Sequence, residues 1–191
     1  MPHQRLPARR RDGGARPLTT RILGIDPGTR IVGYGLVDVS AGPRAVSRFT
    51  YVECGVIRLP EDDPMPRRLL TLATTLAEIL REHSPHELAL EAAFHGVNAA
   101  SALKLGLARG AVMVVAAQHG LGVAEYPPAT VKHTVIGHGR ATKADVQARI
   151  RLLCRLASEP TSDAADALAI ALCHAHLAPR HLSPESARRP A

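Results

Sequence analysis

The chain has 191 residues, of which 46% are hydrophobic, and a net charge of +7. This length suits one domain with a single buried core, and the lack of both an apolar run of about 18 residues and a secretory leader argues against membrane insertion or export. Three cysteines without paired spacing support neither a disulfide framework nor a zinc site, so we expect a cytoplasmic protein.

The positive charge is concentrated at the two ends of the chain. Residues 1–20 contain five Arg and one Asp, and residues 178–191 contain three Arg and one Glu. The Arg, Pro, Gly and Ser content of these ends predicts a disordered basic N-terminal arm and a disordered C-terminal tail around a domain at 21–177. Within that domain, residues 130–155 carry six Lys or Arg against one Asp, a local patch that indicates nucleic-acid binding.

The apolar pattern predicts the secondary structure in chain order. Residues 21–26, 31–39 and 48–59 are bounded by turn residues, which predicts an antiparallel meander of three strands. Helical spacing and strand-like runs then alternate. The predicted helices cover 67–83, 98–118, 142–156 and 163–177, and the predicted strands cover 88–91 and 123–126. This order indicates an α/β fold whose five-stranded mixed sheet has three antiparallel and two parallel strands and is flanked by helices.

Two acidic residues end predicted strands. Asp26 precedes Pro27 and Gly28, and Glu91 closes an apolar run. Asp26 could serve only to cap its turn, and Glu91 could simply reach water. Both fall, however, where open α/β sheets place their sites. Carboxylates brought together there repel by about 4 kcal/mol at about 4 Å and an effective dielectric near 20, so a divalent cation is expected to offset the repulsion.

A second pair of acids opens the last predicted helix. Asp163 and Asp166 are three residues apart and therefore share one helix face. Acids in a first turn also complement the helix dipole without any further role. The rest of that helix is nearly all apolar, so Asp166 requires a partner.

The candidate nucleic-acid contacts are one aromatic residue and several cationic residues. Phe94 could pack in the core or stack on a base. The chain's three lysines, Lys104, Lys132 and Lys143, could be ordinary solvated side chains, but all fall in the half that carries the basic segment. Arg140 ends a Gly-His-Gly-Arg stretch that we interpret as a basic loop rather than a dinucleotide-binding motif.

Several motifs occur in order between residues 21 and 177. They are Gly-Ile-Asp-Pro-Gly at 24–28, the segment 91–98 continuing into 101–106, Val-Lys at 131–132 with Gly-His-Gly at 137–139 and Lys143, and Asp-Ala-Ala-Asp-Ala-Leu-Ala at 163–169. Together they resemble the motifs of the RuvC family of crossover junction endodeoxyribonucleases. Val97 departs from the pattern, because members often have a basic residue there.

The resemblance implies a ribonuclease H-like fold and a homodimer that cleaves Holliday junctions in homologous recombination and DNA repair. It implies dependence on Mg²⁺, two ions per subunit with Mn²⁺ as a substitute, hydrolysis that leaves 5′-phosphate and 3′-hydroxyl ends, and cooperation with a branch-migration motor of the RuvA and RuvB type. The family's catalytic and metal-binding acids correspond to Asp26, Glu91, Asp163 and Asp166. Its base-stacking aromatic corresponds to Phe94, and its phosphate-binding lysines correspond to Lys132 and Lys143.

Two other interpretations remain at this point. An actin-like ATPase or sugar kinase uses a similar Gly-Ile-Asp-Pro-Gly-Thr phosphate turn, but such proteins need two domains around the nucleotide. A DNA-binding module of the same fold without catalysis would have no reason to keep four mutually repelling acids.

Overall fold

A computed structural model describes residues 19–41, 47–92, 99–138 and 140–178 of the chain. The strands are Thr19–Asp26 (β1), Ile31–Ala41 (β2), Ser47–Arg58 (β3), Glu87–Glu91 (β4) and Val123–Tyr126 (β5). The helices are Met65–His83 (α1), Ala99–Gln118 (α2), Pro128–Ile136 (α3), Lys143–Cys154 (α4) and Ser162–Leu177 (α5).

The five strands form one sheet in the order β3-β2-β1-β4-β5. Strand β2 pairs antiparallel with both β1 and β3, whereas β4 pairs parallel with β1 and β5 pairs parallel with β4. The predicted mixed sheet flanked by helices is therefore confirmed. Among the predicted elements, the boundaries differ from those observed by no more than a few residues, which is the usual uncertainty at element ends.

Helix α3 is the one described element that the sequence analysis missed. Pro127 and Pro128 at its start suggest a turn, and β-branched residues through most of its length favour strands. The helix forms because Pro128 is at a position where its missing N–H is harmless and because Val131 and Val135 are buried in the core. Tertiary packing thus overrides a weak local preference.

The predicted terminal segments lie outside the described residues, apart from three positions. Thr19 and Thr20 begin β1, two residues before the predicted start of that strand at 21, and Ala178 follows the last turn of α5. The predicted boundaries of the arm and the tail therefore stay predictions.

Each face of the sheet carries its own apolar core. Helices α1 and α2 pack on one face, against side chains such as Leu23, Ile25 and Leu36. Helices α3, α4 and α5 pack on the other face, where Ile22, Val37 and Ala89 point. The alternation along β1 between the two cores follows from the two-residue repeat of a strand.

Helix α2 exposes much of its apolar surface. By length and composition it could cross a membrane, contrary to the sequence analysis, which finds no such run. Leu103 and Val114 of this helix are 68% and 57% exposed, and Leu107 is also exposed. A cationic residue within it, Arg109, is nevertheless buried against the sheet, and this contact fixes α2 to the domain.

Candidate active site

Asp26 and Glu91 end neighbouring parallel strands. In the sheet register, Ile25 of β1 lies opposite Leu90 of β4, so the acids that follow each of them emerge side by side at one edge of the sheet. Burial and the charge of Asp166 raise the pKa of Glu91, and a hydrogen bond with the Asp26 side chain partly opposes that rise. This geometry agrees with the prediction that the two carboxyl groups lie close together.

Helix α5 brings the other two acids to the same edge because glycines let it lie unusually close to β1 and β2. A Cβ added at Gly33 would overlap the main-chain oxygen of Asp163, and one added at Gly24 would overlap that of Ala167. The first turn of α5 therefore rests directly on the strand backbones. This close approach places the Asp163 and Asp166 carboxylates where both act electrostatically on Asp26.

The C-terminal part of α5 is held by a buried histidine. His174 is 7% exposed, and its Nδ1 lies 2.7 Å from the Tyr126 hydroxyl while its Nε2 lies 2.8 Å from a Glu87 carboxylate oxygen. These bonds connect α5 to both β4 and β5. These bonds therefore help to fix the position of the helix that contains Asp163 and Asp166.

Three of the acids line one cavity of about 250 Å³. Its polar wall combines the carboxylates of Asp26, Glu91 and Asp166 with the ammonium groups of Lys132 and Lys143. Its apolar wall comes from α3, α4 and α5. We call this cavity the carboxylate pocket. Asp163 is not part of its lining, although its charge reaches both Asp26 and Asp166. The apolar residues of the wall are Pro128, Val131, Val135, Val146 and Ala169.

Burial and repulsion by neighbouring carboxylates raise the pKa values of Asp26, Glu91 and Asp166. Burial, followed by the negative charges of Glu91, Asp166 and Asp163, raises the pKa of Asp26 to about 8. Burial also raises the pKa of Glu91, with a further contribution from the Asp166 charge. A positive charge bound between these carboxyl groups would lower their pKa values and so favour their ionised forms.

Lys143 forms an ion pair with one of these acids. Its Nζ lies 3.8 Å from a carboxylate oxygen of Asp166, and its charge opposes the rise that burial causes in the pKa of Asp166. A capping box fixes the start of α4 beside it, since the Thr142 hydroxyl accepts from the Asp145 main-chain N–H at 3.2 Å and the Thr142 N–H donates to the Asp145 carboxylate at 2.8 Å. The position of Lys143 is therefore determined by local helix chemistry.

The donor set of the pocket suits a hard divalent cation. Its acidic groups are carboxylates, and no thiol or imidazole is among the lining residues. Carboxylate oxygens are the donors that Mg²⁺ prefers, whereas softer transition metals favour sulfur and nitrogen. Across the described ranges, no three His, Cys, Asp or Glu side chains are already grouped closely enough to hold a metal ion. The carboxylates therefore line the pocket without converging on one point, as expected for groups that repel one another.

Arg109 is a residue of the site that sequence reasoning missed. It is 7% exposed, and its guanidinium donates to the main-chain oxygen of Glu91 and to the Glu125 carboxylate. It thereby joins α2 to the end of β4 and to β5, and its charge lowers the pKa of Glu91. The sequence did contain a signal, because Arg109 is the one charged residue in the long apolar run 105–117. Such a run predicts burial, and a buried charge needs partners.

The five predicted DNA-binding residues fall in different places. Lys132 and Lys143 line the carboxylate pocket. Lys104, by contrast, lies in a separate cavity near the start of α2. Arg140 is exposed between α3 and α4, and Phe94 lies outside the described residues, as does Val97.

Comparison with known proteins identifies the family. The family model described as crossover junction endodeoxyribonuclease RuvC matches residues 22–174. A protein of that name from Azorhizobium caulinodans is 48% identical over 90% of this chain and 96% of its own length. The one from Halorhodospira halophila is 50% identical over 82% of this chain and 90% of its own length.

Solved structures agree with this assignment. RuvC from Thermus thermophilus matches with a TM-score of 0.70 and 32% identity, covering 82% of this chain and 93% of that one. The same protein in complex with a Holliday junction substrate matches with a TM-score of 0.74 and 34% identity over the same shares of the two chains. The sheet is thus of the ribonuclease H-like type, and the resemblance predicted from the motifs is confirmed. The chain belongs to the RuvC family of crossover junction endodeoxyribonucleases, which are metal-dependent nucleases.

Proposed function

We propose that this protein resolves Holliday junctions by Mg²⁺-dependent hydrolysis of two symmetrically placed phosphodiester bonds, in homologous recombination and DNA repair. The observation that carries the proposal is the carboxylate pocket, which is lined by acids of β1, β4 and α5 together with two lysines. Family membership supports the same conclusion. In this proposal the catalytic and metal-binding residues are Asp26, Glu91, Asp163 and Asp166.

Two Mg²⁺ ions per subunit, replaceable by Mn²⁺, would be held by these four acids. When bound, such ions activate a water for attack on phosphorus and stabilise the oxygen that leaves. The products are a 5′-phosphate and a 3′-hydroxyl. Asp26 and Glu91 are oriented by strand ends and Asp166 by a helix packed on the sheet, so the ligands come from rigid elements, as precise positioning requires.

The lysines and the apolar wall have separate tasks. Lys132 and Lys143 face the pocket and would pair with the non-bridging oxygens of the scissile phosphate, which places the phosphorus beside the carboxylates. The valines of α3 and α4 lower the local dielectric and limit the entry of water, so each electrostatic contact is stronger than it would be in bulk solvent. Phe94, Lys104 and Arg140 are proposed as further DNA contacts.

A cleavage assay on synthetic DNA tests the function. We expect symmetric nicking of a four-way junction in Mg²⁺, little cleavage of a linear duplex of the same sequence, and no cleavage in EDTA. Binding of the junction without cleavage under any divalent cation would favour a DNA-binding module without catalysis. ATP hydrolysis without nicking would favour the kinase-like alternative.

We also propose that the protein acts as a homodimer through the exposed face of α2. Three apolar side chains, Leu103, Leu107 and Val114, are exposed there, and a Cβ added at Gly106 or Gly110 would meet no atom within 4 Å. Small residues allow two helices to approach closely, and exposed apolar area of this kind marks interaction sites. A twofold dimer presents two active sites to the two strands that must be cut.

The dimer can be tested by charge substitution on this face. In the double variant Leu107→Glu and Val114→Glu, we expect a monomer in sedimentation and loss of paired nicking, because two buried charges would face their own copies. Leu152→Glu is the matched control, since Leu152 is 70% exposed on α4 and outside this face. A wild-type protein that sediments as a monomer at micromolar concentration would contradict the dimer.

Two further parts of the proposal concern the cell. As a DNA-processing enzyme of a bacterial family, the protein would act in the cytoplasm. It would receive junctions from a branch-migration motor of the RuvA and RuvB type.

A further inference from the structure

A second cavity lies at the same edge of the sheet as the carboxylate pocket. It has a volume of about 420 Å³, and we call it the basic cleft. The turn after β1 lines this cavity, beginning with Thr29, which is three residues after Asp26. The other lining residues lie just before α1 or within the first two turns of α1 and α2. Because α1 and α2 cover the opposite face of the sheet from α3, α4 and α5, the cleft flanks the site on the side away from Lys132 and Lys143. Its lining residues are Thr29, Arg30, Glu61, Arg68, Ser101 and Lys104.

The charges of the basic cleft are not balanced. Three of its lining residues are cationic and one is acidic. The acid, Glu61, is already paired with Arg30 at 2.9 Å. Within the part of the chain that the structure describes, neither Arg68 nor Lys104 forms an ion pair. Two positive charges therefore face this cavity without an acidic partner.

Arg68 is the residue that most needs a ligand. Its Nε and Nη2 atoms are buried and, among the described residues, have no hydrogen-bond partner. It also lies in the first turns of α1, where the helix dipole is positive, and that helix begins with no acidic residue and no side-chain cap. A cation in such a place is destabilised by the helix dipole and by its own unmade hydrogen bonds. An anion in the cleft would relieve both effects.

We propose that the basic cleft binds a backbone phosphate of the junction DNA at a distance from the scissile bond. The hydroxyl groups of Thr29 and Ser101 complete a set of donors typical of phosphate contacts, with the guanidinium of Arg68 and the ammonium of Lys104 supplying charge. The site rests on the proposed function, since it requires DNA that crosses the sheet edge. With Lys132 and Lys143 on the other flank, the junction backbone is held on both sides of the carboxylate pocket.

The proposal assigns a role to residues that the sequence analysis did not select. Thr29 and Arg68 lie outside the basic segment 130–155 and are far apart along the chain. Lys104, which was predicted to bind DNA, has its place in this cleft and not beside the carboxylates. A DNA strand that lay only over α3 and α4 would not reach Lys104.

Binding of a labelled four-way junction in EDTA, measured at several salt concentrations, tests the cleft without cleavage. For Arg68→Gln we expect a several-fold higher Kd and a salt slope lower by about 1, because one phosphate contact is lost. Arg67→Gln is the matched control, since Arg67 is the neighbouring cation on α1, is exposed and does not line the cleft. It should bind as the wild type does.

A second variant guards against a folding defect in Arg68→Gln. Lys104 is exposed, so Lys104→Gln should fold normally and should also lower the salt slope by about 1. Both variants binding with the Kd and slope of Arg67→Gln would overturn the basic cleft. If the wild type cleaves junctions in Mg²⁺ and these variants bind normally, the cleft fails while the nuclease function stands. A wild type that never cleaves junctions would instead remove the proposed function.

Discussion

Replacing Asp26 with Asn should abolish junction cleavage while junction binding persists. Asp26 is the most buried of the pocket acids and feels the charges of the other three, so it is central to any cation bound there. Loss of a metal ligand removes several kcal/mol of transition-state stabilisation, which corresponds to a fall of roughly 10³-fold or more in the cleavage rate. Single-turnover cleavage at saturating junction measures this fall.

The same substitution should stabilise the metal-free protein at alkaline pH. The pKa of Asp26 is about 8 in the folded chain and 3.8 ordinarily, so between these values the folded state retains a proton that the unfolded state has released. Folding stability therefore declines as pH rises from about 4 to about 8. Asn does not ionise, and at about 1.4 kcal/mol per pKa unit we expect a gain of at least about 2 kcal/mol at pH 8.

Urea unfolding in EDTA at pH 5 and pH 8 measures that gain. Glu78→Gln is the control, because Glu78 is an exposed acid of α1 outside the pocket, and it should alter neither stability nor cleavage. Near wild-type cleavage by Asp26→Asn would contradict its catalytic role. If Asp26→Asn and the wild type lost the same stability between pH 5 and pH 8, the electrostatic explanation of the pocket would be contradicted.

Replacing Gly33 with Ala should disrupt the site through the backbone. The added Cβ would overlap the main-chain oxygen and carbon of Asp163, so α5 must move away from β2 and carry its acids with it. Overpacking of this kind costs about 1–3 kcal/mol, and a displacement of about 1 Å at a catalytic group can lower the rate by about 10²-fold. Thermal unfolding and the cleavage rate should both report the change.

Gly122→Ala provides the matched control. Gly122 lies between α2 and β5, and a Cβ added there would meet no atom within 4 Å. That variant should keep the wild-type melting temperature and cleavage rate. Equal behaviour of the Gly33 and Gly122 variants would show that the close approach of α5 does not position the acids.

Much of the fold could be predicted because the local and global patterns agree. Asp26 and Glu91 end apolar strands, as predicted, at the edge where open α/β sheets place their sites. The parallel pairing of β1 with β4 places the two acids side by side. Asp163 and Asp166 share one face of a helix whose start was predicted within one residue. Their position near Asp26, however, depends on the glycines of β1 and β2, whose steric role appears only when α5 is packed on them.

Features that depend on long-range partners could not be predicted. Arg109 binds the main chain of Glu91 and the side chain of Glu125, and nothing in its neighbouring residues identifies either partner. Helix α3 forms against a poor local propensity because Val131 and Val135 find a core to enter. The basic cleft joins segments near residues 30, 68 and 104, a combination that sequence spacing does not indicate.

Titration with Mn²⁺, followed by electron paramagnetic resonance, measures whether the acids of β1, β4 and α5 share divalent cations. We expect the wild type with an uncleavable junction to bind two Mn²⁺ ions per subunit. Asp26→Asn and Glu91→Gln should each lose at least one of these ions, whereas Glu78→Gln should keep both. The same stoichiometry and affinity in all four proteins would contradict the account.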